Sequence, residues 1–271
     1  MDIVGTSGPD TLEGTSGNDR LFGLEGSDLL EAFAGDDQLD GGAGDDILKG
    51  GAGKNVLDGG AGLDTADYSD WGQDIRVNLG GSTPATVGGI TAQDTIRNVE
   101  NVTGGSSNDE LTGDSHDNVL KGLGGNDFLI GGDGNDVLLG GDRSDWLDGS
   151  SGVDYMDGGN GGDFYRVRDP RAVVNDTGVD GLGDVVYFLG PVGTYTMGAG
   201  IEKAFLNASA ESGSLIGNDS PNTLLANAFD NVLDGRGGAD FMDGETAMTL
   251  TTSITLETRS TSFIRTGART W

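Results

Sequence analysis

The sequence predicts an all-β fold, a solenoid wound from glycine-rich nonapeptide repeats. Three observations carry that reading. Seventeen nine-residue units fall into one register, in arrays over residues 5–67, 104–166 and 217–246. Glycine supplies 52 of 271 residues, about one in five, against a usual share of roughly 7%. Each unit carries one apolar residue at its eighth place, which suits a short strand with a single inward side chain. No segment shows a helix with convincing caps at both ends.

The first array, residues 5–67, sets the pattern. Its fourth places are Gly8, Gly17, Gly26, Gly35, Gly44, Gly53 and Gly62, so a tight turn recurs every nine residues. Its eighth places are Leu12, Leu21, Leu30, Leu39, Leu48 and Leu57, then Ala66. Strands stacked at about 4.8 Å would line these side chains into a dry ladder. No single unit can bury its own leucine, so the stack is stable only collectively. The sixth places are Asp10, Asp19, Asp28, Asp37, Asp46 and Asp64, interrupted by Asn55 beside Lys54.

A spacer, residues 68–103, follows, with a period-two strand pattern over 75–79 and an apolar stretch over 96–102. The second array, 104–166, restores the nonads and places Asp109, Asp127, Asp136, Asp145, Asp154 and Asp163 at the sixth position. Asn118 breaks that series, and Ser107, His116 and Arg143 stand at glycine positions. The second spacer, 167–216, has strand-like runs at 184–189 and 201–206. Both spacers read as longer coils that continue the solenoid. The third array, 217–246, is degraded, with Asn222, Asn231 and only Asp240 at the sixth place.

The tail, 247–271, abandons the pattern, with Glu257 its only acid and three arginines. Codons permitted for residues 247–262, read one base earlier, encode Gly-Asn-Asp-Thr-Tyr-Tyr-Val-Asp-His-Ala-Gly-Asp-Ala-Val-Tyr-Glu. That string continues the repeat and echoes residues 162–167. The expectation is a frameshifted, unstructured tail on a truncated parent chain that has lost a C-terminal export signal. The coding DNA around codons 244–248 decides the point.

Charge narrows the function. The chain has 45 acidic and 15 basic residues, a net charge of −30. A phosphate backbone needs a basic surface, so no nucleic acid is expected as partner, and no anionic membrane. A multivalent cation is the natural counter-charge. Cysteine is absent and His116 is the only histidine, which removes thiolate and paired-histidine metal sites. No apolar run is long enough to span a membrane, and the N-terminus lacks the features of a signal peptide. High charge with 34% hydrophobic residues is a disorder signature, which fits the chain without its metal.

The units match the nonapeptide G-G-x-G-x-D-x-U-x, with U a large apolar residue. The chain therefore resembles the RTX (hemolysin-type) calcium-binding repeat proteins. The resemblance implies a parallel β-roll, a β-solenoid with calcium ions between stacked turns, and secretion by a type I route. In that family two nonads make one 18-residue coil, which would set Asp10 over Asp28 and Asp19 over Asp37. Two carboxylates about 5 Å apart repel by about 0.8 kcal/mol even in water. Ca²⁺ reverses the sign, taking six to eight oxygens where Mg²⁺ demands a stricter octahedron. The candidate metal ligands are the thirteen sixth-place aspartates, Asp10 through Asp240. Eight Asp-over-Asp pairs (10/28, 19/37, 28/46, 46/64, 109/127, 127/145, 136/154 and 145/163) imply about eight Ca²⁺ ions. The 37/55 pair is expected to be weak, and the third array to bind little.

The expected function is a calcium-binding, secreted repeat protein, a monomer that folds on meeting Ca²⁺ outside the cell. The alternative is a C-terminally truncated fragment or accessory module of a larger RTX adhesin or secreted enzyme (polysaccharide-binding, or epimerase- or protease-associated). Enzyme activity is not expected, since repeats begin at residue 5 and His116 lies near no G-x-S-x-G elbow. Trp71, Trp146, Tyr155, Phe164 and Tyr165 either stack on extracellular polysaccharide or cover the coil interior.

Overall fold

A computed structural model describes residues 1–80, 85–87, 92–178, 183–190, 193–207, 212–244, 250–252 and 263–265. Among these the chain is a β-solenoid of about twelve turns with no helix. The coil is 18 residues long. Leu21 pairs with Leu39 and Leu39 with Leu57 in parallel register, and on the opposite side Leu12 pairs with Leu30 and Leu30 with Leu48.

Two ladders of inward side chains face each other across the coil. One runs Leu12, Leu30, Leu48, Ala66, Val102, Leu120, Leu138, Met156, Val174, and all of these are buried. The other includes Leu111, Leu129, Leu147, Tyr165, Val186, Ala204, Leu224 and Met242, also buried. Burying each large aliphatic side chain contributes about 1.5–3 kcal/mol. The nine-residue period places one such residue on each face per coil, so the core extends as far as the repeat does.

The first spacer departs from the expected longer coil. Strands Ile75–Asn78, Ala85–Val87 and Ala92–Arg97 form an antiparallel set within the larger sheet. Ala92–Arg97 lies on Val56–Ala61, while Ile75–Asn78 lies against Glu110–Thr112. The chain therefore runs ahead, reverses and comes back to close the first array. Alternating apolar residues identify a strand but not its direction, which is why the sequence does not disclose the reversal.

In the second spacer one face is continuous, through Val185–Phe188 and Lys203–Leu206. The other face breaks after Val173–Asn175 and resumes as a four-stranded sheet at Thr194–Thr196. Two short tail strands, Leu250–Thr252 and Phe263–Arg265, extend the stack in parallel register, where an unstructured tail was expected. The remainder of the tail lies outside the described residues. No helix among the described residues is long and apolar enough to cross a membrane.

Candidate metal centre

The sixth-place aspartates stand at the turn just before each strand, two residues ahead of the inward apolar side chain. Stacking at 18 residues brings them into files along the two edges of the roll. In all eight pairs read from the sequence, the backbone N–H of the earlier aspartate donates to Oδ1 of the later one, at 2.7–3.1 Å. Asp37 donates in the same way to Asn55 Oδ1 at 3.1 Å, and Asn118 to Asp136 Oδ1 at 2.8 Å. One carboxylate oxygen of each rung is thus spent on the backbone.

The second oxygen is where the chemistry lies. Oδ2 of Asp28, Asp37, Asp46, Asp64, Asp127, Asp136, Asp145 and Asp240 is buried with no hydrogen-bond partner among the described residues. A buried, unsatisfied charged oxygen is costly. The rungs whose units begin with glycine also leave a small cradle. A methyl group added to Gly23 would strike Asp28 Oδ2 and the Gly41 carbonyl, and one on Gly140 would strike Asp145 Oδ2 and the Gly158 carbonyl. An anionic oxygen and a backbone carbonyl from the next coil thus converge on one space, the donor set a hard oxygen-seeking cation requires.

Electrostatics point the same way. Burial, opposed in part by the backbone N–H and reinforced by neighbouring carboxylates, pushes Asp127 and Asp136 up to about 7 and Asp145 to about 8. Burial likewise raises Asp64, Asp109 and Asp154 to about 6. Without a counter-charge these files favour protonation.

The remaining candidate ligands are placed differently. Asp10 Oδ2 accepts from Thr6 N–H and Oγ1, and Asp19 Oδ2 from Thr15 N–H and Oγ1. Asp109 Oδ2 accepts from Gly105 N–H at 2.6 Å. Asp154 and Asp163 are buried in the file below Asp136 and Asp145.

Four acids outside the nonad register extend the files. Asp94 Oδ1 accepts from Asn55 N–H, Glu100 from Asp64 N–H, Asp184 from Asp163 N–H and Glu202 from Asp184 N–H, at 2.7–2.9 Å. A signal for them existed. Each stands two residues before an inward apolar residue, Ile96, Val102, Val186 and Ala204, as in every repeat. Asp163, Asp176 and Asp184 bring ligand oxygens within 4.8 Å of one another.

Of the aromatic residues singled out from the sequence, Trp146, Phe164 and Tyr165 pack on the coil. Phe128, Trp146, Phe164, Tyr187 and Phe205 form one ladder, with Trp146–Phe164, Phe164–Tyr187 and Tyr187–Phe205 centroids 4.1, 4.7 and 4.8 Å apart. Tyr165 is fully buried and its hydroxyl donates to the Asn175 carbonyl. His116 is exposed, its Nδ1 3.0 Å from Asp114 Oδ2, which raises its pKa.

A parallel β-roll with files of buried aspartates and glycine carbonyls between its turns is the architecture of a calcium-binding repeat protein. The family model for the RTX calcium-binding nonapeptide repeat matches residues 4–32, 31–66, 99–129, 130–165 and 216–246. These segments cover more than half of the chain, which belongs to that family. A search of curated proteins gave no match.

Proposed function

We propose that this chain is a secreted calcium-binding module whose β-roll folds when it meets Ca²⁺ outside the cell. The observation that carries this is the set of eight buried carboxylate oxygens without a hydrogen-bond partner, each beside the glycine turn of its own unit. The sixth-place aspartates and the glycine carbonyls would hold the ions. Bound Ca²⁺ supplies positive charge that turns the repulsion within each file into attraction. Extracellular-type sites have Kd of about 10⁻⁴–10⁻³ M, far above cytosolic calcium. The chain would therefore leave the cell unfolded, and binding free energy would serve as folding free energy. We read the role as structural rather than catalytic, since the roll's acids are accounted for by its own stacking.

Circular dichroism through a calcium titration tests the reading. Millimolar Ca²⁺ is expected to convert a largely disordered spectrum into a β spectrum, and Mg²⁺ to fail. A spectrum unchanged by a chelator overturns it.

A further inference from the structure

The rungs are of two kinds, and the second residue of each unit separates them. It has left-handed backbone at Leu24 (φ 82°), Phe33 (67°), Gly42 (105°), Gly51 (70°), Gly60 (104°), Leu123 (72°), Gly132 (114°), Gly141 (118°), Ser150 (65°), Gly159 (88°) and Arg236 (57°). Eight of these belong to the units of Asp28, Asp37, Asp46, Asp64, Asp127, Asp136, Asp145 and Asp240, whose Oδ2 is buried and unpartnered; Gly51 lies in the unit of Asn55, Ser150 in that of Asp154 and Gly159 in that of Asp163.

Where the second residue is not left-handed, the rung closes on itself. Thr6 N–H and Thr15 N–H each donate to the Oδ2 of their unit's aspartate at 2.6 Å, and their hydroxyls add bonds of 2.9 and 2.7 Å. Gly105 N–H does the same for Asp109 at 2.6 Å, Asp114 N–H for Asn118 Oδ1 and Asn218 N–H for Asn222 Oδ1, both at 2.8 Å. The amides then turn their Nδ2 onto carbonyls, Asn118 to Glu100 and Asn222 to Ile201. Such a rung satisfies its acceptor and a nearby carbonyl without any ion.

The left-handed units give up that donor. Several of their second residues enter the strand ladder instead, Leu24 opposite Gly42, Gly42 opposite Gly60 and Leu123 opposite Gly141. The conformation costs glycine little but is unfavourable for leucine or phenylalanine. Leu24, Phe33 and Leu123 are 48%, 45% and 42% exposed, so side-chain burial does not return the cost. Strain of this kind persists where something else over-determines the backbone. A cation on the vacated oxygen would do so.

We propose that the second residue of each unit is the positioning residue that decides whether its rung takes a cation. This rests on the calcium reading above. It opens the rungs of Asp37 and Asp240, and closes those of Asp10, Asp19 and Asp109 with protein donors.

Calcium stoichiometry of the full chain, by equilibrium dialysis against ⁴⁵Ca²⁺, tests the assignment, with circular dichroism in saturating calcium confirming the fold of each variant. Asp19→Asn is expected to leave the stoichiometry unchanged, and Asp240→Asn to lose at least one ion. Leu123→Thr, which gives that unit the second residue of the closed rungs, is expected to lose an ion with Asp127 still present. Leu24→Gly is expected to keep every ion. Equal losses from Asp19→Asn and Asp240→Asn, or a full complement in Leu123→Thr, overturn the sorting while leaving the calcium reading intact. No calcium on the unaltered chain overturns both.

Discussion

The backbone N–H of Asn55 donates to Oδ1 of Asp94 at 2.9 Å, across a separation of 39 residues instead of the 18 that hold the file together elsewhere. The antiparallel excursion of the first spacer makes this possible, because it returns Ala92–Arg97 to the strand containing Val56 and Leu57. Asp94 Oδ2 also accepts from the buried Tyr68 hydroxyl at 3.1 Å. One carboxylate therefore closes the first array at the edge where the repeat fails.

Asp94→Ala leaves two buried donors unsatisfied, and a loss of about 2–4 kcal/mol is expected from the usual cost of such groups. Asp94→Asn keeps an acceptor and a donor in place. Because burial already raises the Asp94 carboxyl to about 6, the neutral amide is expected to cost under half as much. Urea unfolding in saturating calcium measures both. Equal losses from the two variants would show that the hydrogen bonds are not what Asp94 contributes.

Much of the fold is legible because one side chain per nonad recurs on each face. Leu12 through Leu57 announce the ladder, and Asp10 through Asp64 announce the file. Asp94 and Asp184 escape the register count, yet both obey the local rule of an acid two residues before an inward apolar side chain. The direction of Ala92–Arg97 is not legible, since alternation carries no polarity. Nor is the sorting of rungs, because propensity alone would never assign left-handed backbone to Leu24, Phe33 or Leu123.

The leucine ladder makes a prediction of its own. Leu129 is fully buried between Leu111 and Leu147, in a stack that cannot collapse around a void without shifting its neighbours. Leu129→Ala is expected to cost about 2–5 kcal/mol. Leu63 is 60% exposed at a turn, and Leu63→Ala should fall within about 0.5 kcal/mol of the parent. Denaturant midpoints at fixed calcium compare them, and similar midpoints would contradict the ladder as the core.

Asp148 is a buried acid outside the files whose counter-charge is protein. Arg166 Nη1 lies at 2.9 Å and Arg168 Nη1 at 2.6 Å. Both guanidiniums are about one-third exposed, so solvent screens the pair and the cost of Asp148→Asn is expected at about 1–2 kcal/mol. That loss should be the same at every calcium concentration that folds the roll, and calcium stoichiometry should not change. A missing ion in Asp148→Asn would show that Asp148 belongs to the metal files instead.

The same files make the metal-free roll sensitive to pH, with a sign opposite to that of ordinary carboxylates. Asp64 is raised to about 6, Asp127 and Asp136 to about 7 and Asp145 to about 8, from 3.8. The groups facing them are acids too: Asp46 and Glu100 beside Asp64, Asp109 beside Asp127, Asp154 beside Asp136, and Asp163 beside Asp145. Between pH about 4 and 8 the folded chain therefore holds more protons than the unfolded one, and stability falls as pH rises through that window. In chelator, the chain should hold more β structure at pH 5 than at pH 8, protons serving in part where calcium otherwise would. In saturating calcium the order should reverse, because the ion needs ionised carboxylates and protons compete with it. Circular dichroism spectra in chelator and thermal melts in saturating calcium, each at the two pH values, check both signs. A metal-free β signal that climbs from pH 5 to pH 8 would mean that the files are not desolvated as described.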